Sequence, residues 1–341
     1  MKRIIGWGLA ATAVLSFAGC AKTATEGVND ASARYFDAWV QKHIQPTWQQ
    51  TALGSYITED ISGTGAVIGA AETTPLVHIS YTRKDLDGNI LEYTSAETAR
   101  QMGDYVRSNY YGPVTSVRGI GSMYAGEDEI LTGMRIGGTR TAVIPSWLMT
   151  YKRFVSADKY KGSAGADDHY IVTVTVHDAF SDILKFQTDS IETYIIHHYP
   201  TASLDTTGCF GFYYIQETPP LDETSEHLEG EQLNVNYTGW LLNGQVFDST
   251  DEIVAKDNYL PAKESYGPLP VIWAEDISNM TLDGSTIQAT GFARAINQMK
   301  AGEKGICIFT SNQGYGSSGS GSTIPAYSPL AFEIEIVPGE E

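Results

Sequence analysis

The chain contains two copies of one sequence unit, and this internal repeat constrains its fold more than any other feature. In each copy a run of alternating apolar residues ends in Tyr-Thr, at Tyr81-Thr82 and again at Tyr237-Thr238. A hairpin dipeptide follows, Asp87-Gly88 in the first copy and Asn243-Gly244 in the second. Because alternation at period two indicates a strand with one buried face, both copies predict an antiparallel, strand-rich body.

A helical segment precedes each strand-rich body. Asn29-Asp30 and Ser181-Asp182 are suitable helix caps, apolar residues recur at helical spacing after both, and a proline ends each segment. The sequence therefore predicts an α+β chain with two tandem domains, residues 29–177 and 178–341. Each domain is expected to be a helix followed by an antiparallel sheet.

The N-terminal residues predict an export signal and a lipid anchor. Lys2-Arg3 precedes a run of apolar and small residues that ends at Cys20, a pattern that resembles a bacterial lipoprotein signal. On this interpretation residues 1–19 are removed, Cys20 is lipidated, and residues 20–28 form a flexible tether. Ala21 after the cysteine favours the outer membrane of the cell envelope. The alternative is an ordinary signal peptide, cleaved elsewhere, that leaves Cys20 free.

The charge balance excludes several functions. The 341 residues include 41 acidic and 22 basic ones, for a net charge of −19, which argues against nucleic-acid binding, because phosphate contacts need clustered lysines and arginines. Acyl chains rather than surface charge would hold such an acidic protein to a membrane.

Three cysteines are too few for a disulfide scaffold or a four-cysteine zinc site. Cys209 and Cys307 either pair in the exported compartment or remain free thiols.

The second copy carries a series of motifs in a fixed order. Residues 236–250 read NYTGWLLNGQVFDST. They are followed by Thr290-Gly291-Phe292, Met299-Lys300-x-Gly302, Tyr315-Gly316, Ile324-Pro325 and a closing strand over residues 328–336. In order and spacing these motifs resemble the FK506-binding protein (FKBP) family over about residues 228–337. The resemblance implies a curled antiparallel half-barrel sheet around one short helix, and the repeat extends this expectation to two tandem FKBP-like domains.

That family catalyses cis/trans isomerisation of the peptide bond before proline, so the resemblance implies a peptidyl-prolyl isomerase that assists the folding of exported proteins. The uncatalysed bond rotates slowly because rotation breaks amide resonance, with a barrier of about 18–20 kcal/mol. An enzyme that binds the twisted amide more tightly than either planar form lowers this barrier without a nucleophile, metal or cofactor. The implied partners are proline-containing polypeptides and, through the lipidated Cys20, the membrane.

The resemblance also implies a substrate pocket with an aromatic wall and a polar edge, formed by Tyr237, Phe247, Asp248, Phe292, Tyr315, Ile324 and Phe332. The Tyr315 hydroxyl would donate a hydrogen bond to a substrate carbonyl, and Asp248 would form the polar edge. Ala289, where the family usually has isoleucine, would offer its backbone N–H. Phe292 stands where the pocket floor is commonly tryptophan. The alternative is that these rings are ordinary core aromatics.

The stretch between Ser249 and Gly291 is about twice the length usual in the family. It carries Trp273 and two tyrosines among three prolines. We expect it to fold over the pocket as a lid, with Trp273 against the substrate, or to receive a partner. A plain surface loop is an equal alternative.

The first copy keeps the repeated frame but is expected to have lost the pocket. Aligned with the second copy, its substitutes for Phe247, Asp248, Phe292, Tyr315 and Phe332 are Leu91, Glu92, Glu127, Thr150 and Val172. A carboxylate on the floor of an apolar pocket is costly unless it is paired. We therefore interpret residues 29–177 as a non-catalytic copy that serves as a spacer, a homodimer surface or a client-binding surface.

Two other functions fit the same sequence. One is a non-catalytic FKBP-fold chaperone or binding lipoprotein of the cell envelope, and the other is a structural surface lipoprotein assembled through both copies. The two departures in the second copy, Phe292 and Ala289, separate the first of these from the enzyme.

Overall fold

The computed structural model describes residues 27–163, 165–166, 168–202 and 208–338. Cys20 and the predicted signal peptide lie outside the described residues. The described chain forms two antiparallel sheets, one within residues 49–180 and one within residues 212–337. Among the helices of these described ranges, none has the length and apolar character needed to cross a membrane.

The first domain contributes four α-helices and seven strands to the described part of the chain. The helices are α1 (Asp30–His43), α2 (Ala96–Met102), α3 (Ala125–Leu131) and α4 (Ala157–Lys161). The strands are β1 (Gln49–Gln50), β2 (Tyr56–Ile61), β3 (Leu76–Lys84), β4 (Ile90–Tyr93), β5 (Val114–Val117), β6 (Thr139–Ile144) and β7 (Tyr170–Phe180). The strand order is β1-β2-β6-β7-β3-β4, and β5 also pairs with β3.

The second domain contributes three α-helices and eight strands to the described residues. The helices are α5 (Ile183–His198), α6 (Glu252–Asp257) and α7 (Thr290–Gln298). The strands are β8 (Phe212–Thr218), β9 (Gln232–Leu241), β10 (Val246–Ser249), β11 (Leu269–Ile272), β12 (Thr281–Leu282), β13 (Ser285–Thr286), β14 (Lys304–Phe309) and β15 (Leu330–Val337). The strand order is β13-β12-β11-β9-β15-β14-β8, and β10 also pairs with β9.

The two sheets share one register. Tyr81 of β3 pairs with Val174 of β7, and Tyr237 of β9 pairs with Ile334 of β15. The order β2-β6-β7-β3 in the first sheet corresponds to β8-β14-β15-β9 in the second. This confirms the predicted α+β architecture of two tandem domains, each an antiparallel sheet with a short helix and a preceding longer helix.

A glycine brings one short helix close to each sheet. Gly126 of α3 lies against Ile144 of β6, and Gly291 of α7 lies against Phe309 of β14. A Cβ at either glycine would overlap the facing side chain, so only glycine allows this approach. The helices α3 and α7 therefore occupy equivalent places in the two domains.

Strand β14 is buried on both faces. Ile306 and Ile308 belong to the apolar cluster that includes Ile191 and Ile195 of α5, whereas Cys307 belongs to the core beneath α7. This alternation follows from the two-residue period of a strand that has a helix on each side.

Cys209 and Cys307 are free thiols. Burial raises the pKa of the Cys307 thiol, so this cysteine stays protonated and unreactive.

A buried arginine holds together three segments of the first domain. The Nε of Arg118 donates to Asp128 Oδ1 over 2.8 Å, and its Nη1 donates to the carbonyl oxygens of Gly69 and Thr74 over 2.8 and 3.2 Å. Arg153 reaches the other oxygen of Asp128 at 2.9 Å. The network joins α3 to the loop that precedes β3, and it satisfies the buried guanidinium.

We expect Arg118→Ala to lower the free energy of unfolding of the first domain by about 3–5 kcal/mol, because it leaves a buried carboxylate and two carbonyls short of donors. The exposed Arg135, whose side chain donates to the Gly65 carbonyl, serves as the control, and Arg135→Ala should cost under about 1 kcal/mol. Chemical denaturation of the full chain measures both. Similar losses in the two variants would contradict the role given to Arg118.

Candidate functional site

Five aromatic side chains line a cavity of about 360 Å³ in the second domain, and four of them form a cluster of rings. Tyr237 comes from β9, Phe247 from β10, Phe292 from α7 and Phe332 from β15. The Phe332 ring is central: its centroid lies 4.9 Å from that of Phe292, 5.4 Å from Phe247 and 6.2 Å from Tyr237. Most of these rings meet edge to face or tilted, the arrangement that aromatic quadrupoles favour. Phe292 and Phe332 are almost fully buried, so the floor of the cavity is apolar.

A glycine on β9 makes room for this cluster. A Cβ at Gly239 would fall within 2.6–2.7 Å of ring atoms of Phe247 and Phe332. The backbone at Gly239 does not need glycine for its conformation, because it is not among the residues with positive φ. Two of the pocket rings therefore pack into the space that a side chain at position 239 would occupy.

The polar edge of the cavity is organised around Asp248. The Tyr237 hydroxyl donates to Asp248 Oδ2 over 2.7 Å, and the backbone N–H of Ser249 donates to Oδ1 over 2.9 Å. Lys263, from the insertion after β10, forms an ion pair with Oδ1 at 2.5 Å. Burial and the neighbouring Asp248 carboxylate both raise the pKa of Tyr237, so its hydroxyl stays protonated and remains a donor to the carboxylate.

Two donors at the cavity have no partner among the described residues. The Tyr315 hydroxyl makes no hydrogen bond there, and neither does the backbone N–H of Ala289, the residue that precedes α7. Burial raises the pKa of Tyr315, which keeps this hydroxyl protonated. Both groups line the cavity. They can therefore donate hydrogen bonds to carbonyl oxygens of a bound chain.

The pocket-side loop, residues 314–325, carries Ile324 to one wall. A pair of backbone hydrogen bonds between Ser320 and Ile324 closes the loop. Gly319 lies so close to the Ile324 carbonyl that a Cβ would overlap it, and its φ of +64° also favours glycine. The residues that flank the loop are anchored to α5, because Gln187 donates to the Tyr327 carbonyl over 2.8 Å and accepts from the Ser311 N–H over 2.8 Å.

The insertion contributes to the pocket, but through other residues than Trp273. Leu282 and Ile287 line the cavity, and Lys263 reaches its polar edge. Trp273 lies in a separate groove, where its Nε1 donates to the Asn297 carbonyl over 3.4 Å. The sequence predicts that Trp273 contacts the substrate, but the structure places it outside this cavity, because β11 pairs with β9 and the residue after it lies at the C-terminal end of α7.

The first domain has a cavity at the corresponding place, which corrects the expectation that its pocket is lost. The cavity measures about 270 Å³ and is lined by Tyr81, Arg83, Glu92, Glu127 and Val172 among others. The strand register pairs Arg83 with Glu92 just as it pairs Gly239 with Asp248. Arg83 thus stands at the position of Gly239, and its guanidinium occupies the space that aromatic rings fill in the second domain.

The sequence analysis does not identify two residues that line or reach the cavities, Lys263 and Arg83. Lys263 is a single lysine in an irregular segment, and no periodic pattern marks it. Arg83 is detectable, because it follows Tyr81-Thr82 as Gly239 follows Tyr237-Thr238. A comparison of the two copies at every position, rather than at the aromatic ones only, would have found it.

Comparisons with known proteins agree with this geometry. The model of the FKBP-type peptidyl-prolyl cis-trans isomerase family matches residues 223–337, which include all seven residues assigned to the pocket. The FK506-binding protein of Neisseria meningitidis serogroup B is 31% identical over 112 residues, covering 33% of this chain and 83% of that protein. FK506-binding protein 2 of Dictyostelium discoideum is 30% identical over 118 residues, covering 35% of this chain and 72% of that protein.

Among solved structures, a peptidyl-prolyl cis-trans isomerase from Pseudomonas syringae pv. tomato aligns with a TM-score of 0.32 and 21% identity. The alignment covers 48% of this chain and all of that chain.

We expect Gly239→Ala to displace Phe247 from the pocket, because the new Cβ needs the space that its ring occupies. Overpacking of this kind costs about 1–3 kcal/mol of unfolding free energy, and the ring-current shifts of nearby methyl groups in NMR spectra should change. The control is Gly162→Ala, where an added Cβ would meet its neighbours at an ordinary 3.4 Å. Unchanged stability and spectra in Gly239→Ala would show that the rings do not depend on this glycine.

Proposed function

Because the chain belongs to the FKBP-type peptidyl-prolyl cis-trans isomerase family and to that enzyme class, we propose that its second domain carries the catalysis. One observation supports this assignment above all: the aromatic cavity of the second domain has two hydrogen-bond donors, the Tyr315 hydroxyl and the N–H of Ala289, that have no partner within the described chain. The cavity of the first domain instead holds a guanidinium and two carboxylates.

In the proposed mechanism, the proline ring enters among Tyr237, Phe247, Phe292 and Phe332. A planar amide has a resonance dipole that water stabilises, and a twisted amide loses much of that dipole. An apolar cavity therefore penalises the planar forms more than the twisted one. This difference is the preferential transition-state binding that catalysis requires.

The polar groups hold the substrate in that position. Tyr315 and the Ala289 N–H donate to carbonyl oxygens of the bound chain, and Asp248 orients the Tyr237 ring through their 2.7 Å hydrogen bond. Lys263 balances the charge of Asp248, so the pocket wall next to the substrate has little net charge. Each tenfold gain in rate needs only about 1.4 kcal/mol, so a few such contacts suffice.

We expect Tyr315→Phe and Phe247→Ala each to lower kcat/KM for a proline-containing tetrapeptide by about tenfold, which corresponds to the loss of one neutral hydrogen bond or one pocket wall. The full chain is assayed by coupled proteolysis or by NMR exchange. The matched control is Tyr259→Phe, which removes a tyrosine hydroxyl from the insertion outside the cavity lining and should leave kcat/KM unchanged.

The assay has two informative negative results. If the folded wild-type chain binds the peptide but does not accelerate isomerisation, the second domain is a binding module that kept the fold. If acceleration survives both pocket variants, catalysis lies elsewhere in the chain. Either result overturns the assignment of these residues.

The proposed cellular setting is the envelope of a bacterium, where the enzyme acts on exported polypeptides. Support comes from the sequence of residues 1–20, with a basic start, an apolar run and a terminal cysteine that resembles a lipobox. Lipidation of Cys20 would anchor the chain, most consistently to the outer membrane given Ala21. Acidic residues outnumber basic ones, so the acyl chains rather than electrostatics would provide the membrane affinity.

We expect Cys20→Ser to abolish incorporation of radiolabelled palmitate and to move the protein from the membrane fraction to the soluble periplasmic fraction. Cys209→Ser is the control, because it removes a thiol without touching the predicted lipobox. Continued labelling of the Cys20→Ser protein would refute the lipoprotein assignment and leave the isomerase assignment intact.

A further inference from the structure

The cavity of the first domain lies at the place that corresponds to the pocket of the second, but different kinds of side chain line it. Apolar side chains of β3, β7 and α3, including Ile79, Val174 and Ile130, form one part of its walls, and charged side chains and tyrosines form much of the rest. Its volume of about 270 Å³ is below the range typical of drug-sized ligands. The cavity therefore suits a single side chain or a group of similar size.

Arg83 fixes the polar end of this cavity. Its Nη2 and Nε contact Glu127 Oε1 at 2.5 and 3.1 Å, and its Nη1 contacts Glu92 Oε1 at 2.5 Å. The guanidinium also lies 5.5–5.9 Å from the ring centroids of Tyr81, Tyr124 and Tyr170, within the range of cation–π attraction. Arg83 is therefore held from several sides and is already neutralised.

The remaining charge of the cavity is negative. One guanidinium faces two carboxylates, and every contact of Glu127 described above uses Oε1. Its second oxygen has no hydrogen bond or ion pair among the described residues, although the side chain is only 16% exposed. Burial raises the pKa of Glu127 even beside Arg83, because desolvation penalises the charged carboxylate. A second cation near Oε2 would compensate the remaining negative charge.

The mouth of the cavity also suits a cation. Glu92 is half exposed there, with 50% of its side chain accessible, and the rings of Tyr124 and Tyr151 stack with centroids 4.4 Å apart. Both tyrosines line the cavity. Stacked aromatic faces beside a carboxylate attract ammonium and guanidinium groups, whereas an anion would have to displace two carboxylates from Arg83.

We propose that the first-domain cavity is a binding site for a cationic side chain, a lysine or arginine of a polypeptide, held by Glu127 Oε2, Glu92 and the Tyr124–Tyr151 pair. The first domain would thus contact polypeptides through charge, while the second recognises proline through an apolar pocket. The site does not depend on the isomerase activity of the second domain, so the two assignments can fail separately.

The test uses the full chain and four short peptides, acetyl-Gly-X-Gly-amide with X as lysine, arginine, norleucine or glutamate. Isothermal titration calorimetry at two salt concentrations measures their affinity. The lysine or arginine peptide should bind at least tenfold more tightly than the norleucine and glutamate peptides. Glu127→Gln should weaken that binding at least tenfold, and Glu92→Gln should weaken it severalfold with less risk to the fold, since Glu92 lies at the mouth.

Matched controls separate this site from general attraction to an acidic protein. Glu59→Gln removes the same charge from an exposed position of β2 and should leave the affinity unchanged, as should Phe247→Ala in the second domain. Equal weakening by Glu59→Gln, equal affinity for norleucine, preferred binding of glutamate, or binding of none of the peptides would each overturn the proposal.

Discussion

In each domain, the side chain at one position of the central strand determines which groups line the cavity above it. That position is Arg83 in the first domain and Gly239 in the second. At Gly239 the missing Cβ lets Phe247 and Phe332 meet over the sheet. At the equivalent position of the first domain, Arg83 fills that space with a guanidinium. Once a charge lies there, its neighbours must be carboxylates, because a buried cation without partners costs several kcal/mol. The substitution of Glu127 for Phe292 and the retained acid at Glu92 follow from that one requirement.

This constraint explains how one fold supports two different cavities without a change in its frame. Gly126 and Gly291 let α3 and α7 approach the equivalent strands β6 and β14 closely, and the pairings of the four corresponding central strands coincide. A buried ion pair seldom stabilises a fold more than an apolar cluster of similar volume would. Stability alone therefore does not account for the ion pairs of the first domain, whereas the cation site that we propose there requires their carboxylates.

The sequence predicted the frame and most of the pocket, for a physical reason. Hairpin dipeptides, alternating strands and helix caps are local signals, and the aromatic positions kept their spacing on regular elements. Lys263 and Trp273 lie in the insertion, where no sequence periodicity indicates which way a side chain points. The sequence therefore gives no sign of Lys263 at the pocket, and it predicts Trp273 in a cavity that the structure places elsewhere. In the first domain the loss of aromatic residues predicts the loss of the pocket, but a strand residue that points into a cavity can line it with charge instead, as Arg83 does.

The two domains also share a boundary beside the aromatic pocket. Hydrogen bonds join the segment before β5 in the first domain to the second domain: the Tyr110 N–H donates to the Ser322 carbonyl over 2.8 Å, and Gln245 donates to the Ser108 carbonyl over 3.0 Å. Ser322 belongs to the pocket-side loop that carries Ile324, and Ser322 Oγ bonds Asn109 Oδ1 at 2.7 Å as well. The loop is thus held by α5 through its flanking residues and by the first domain. A wall of the aromatic pocket is therefore positioned partly from outside its own domain, and a polypeptide bound to the first domain would lie on a body that is physically joined to that wall.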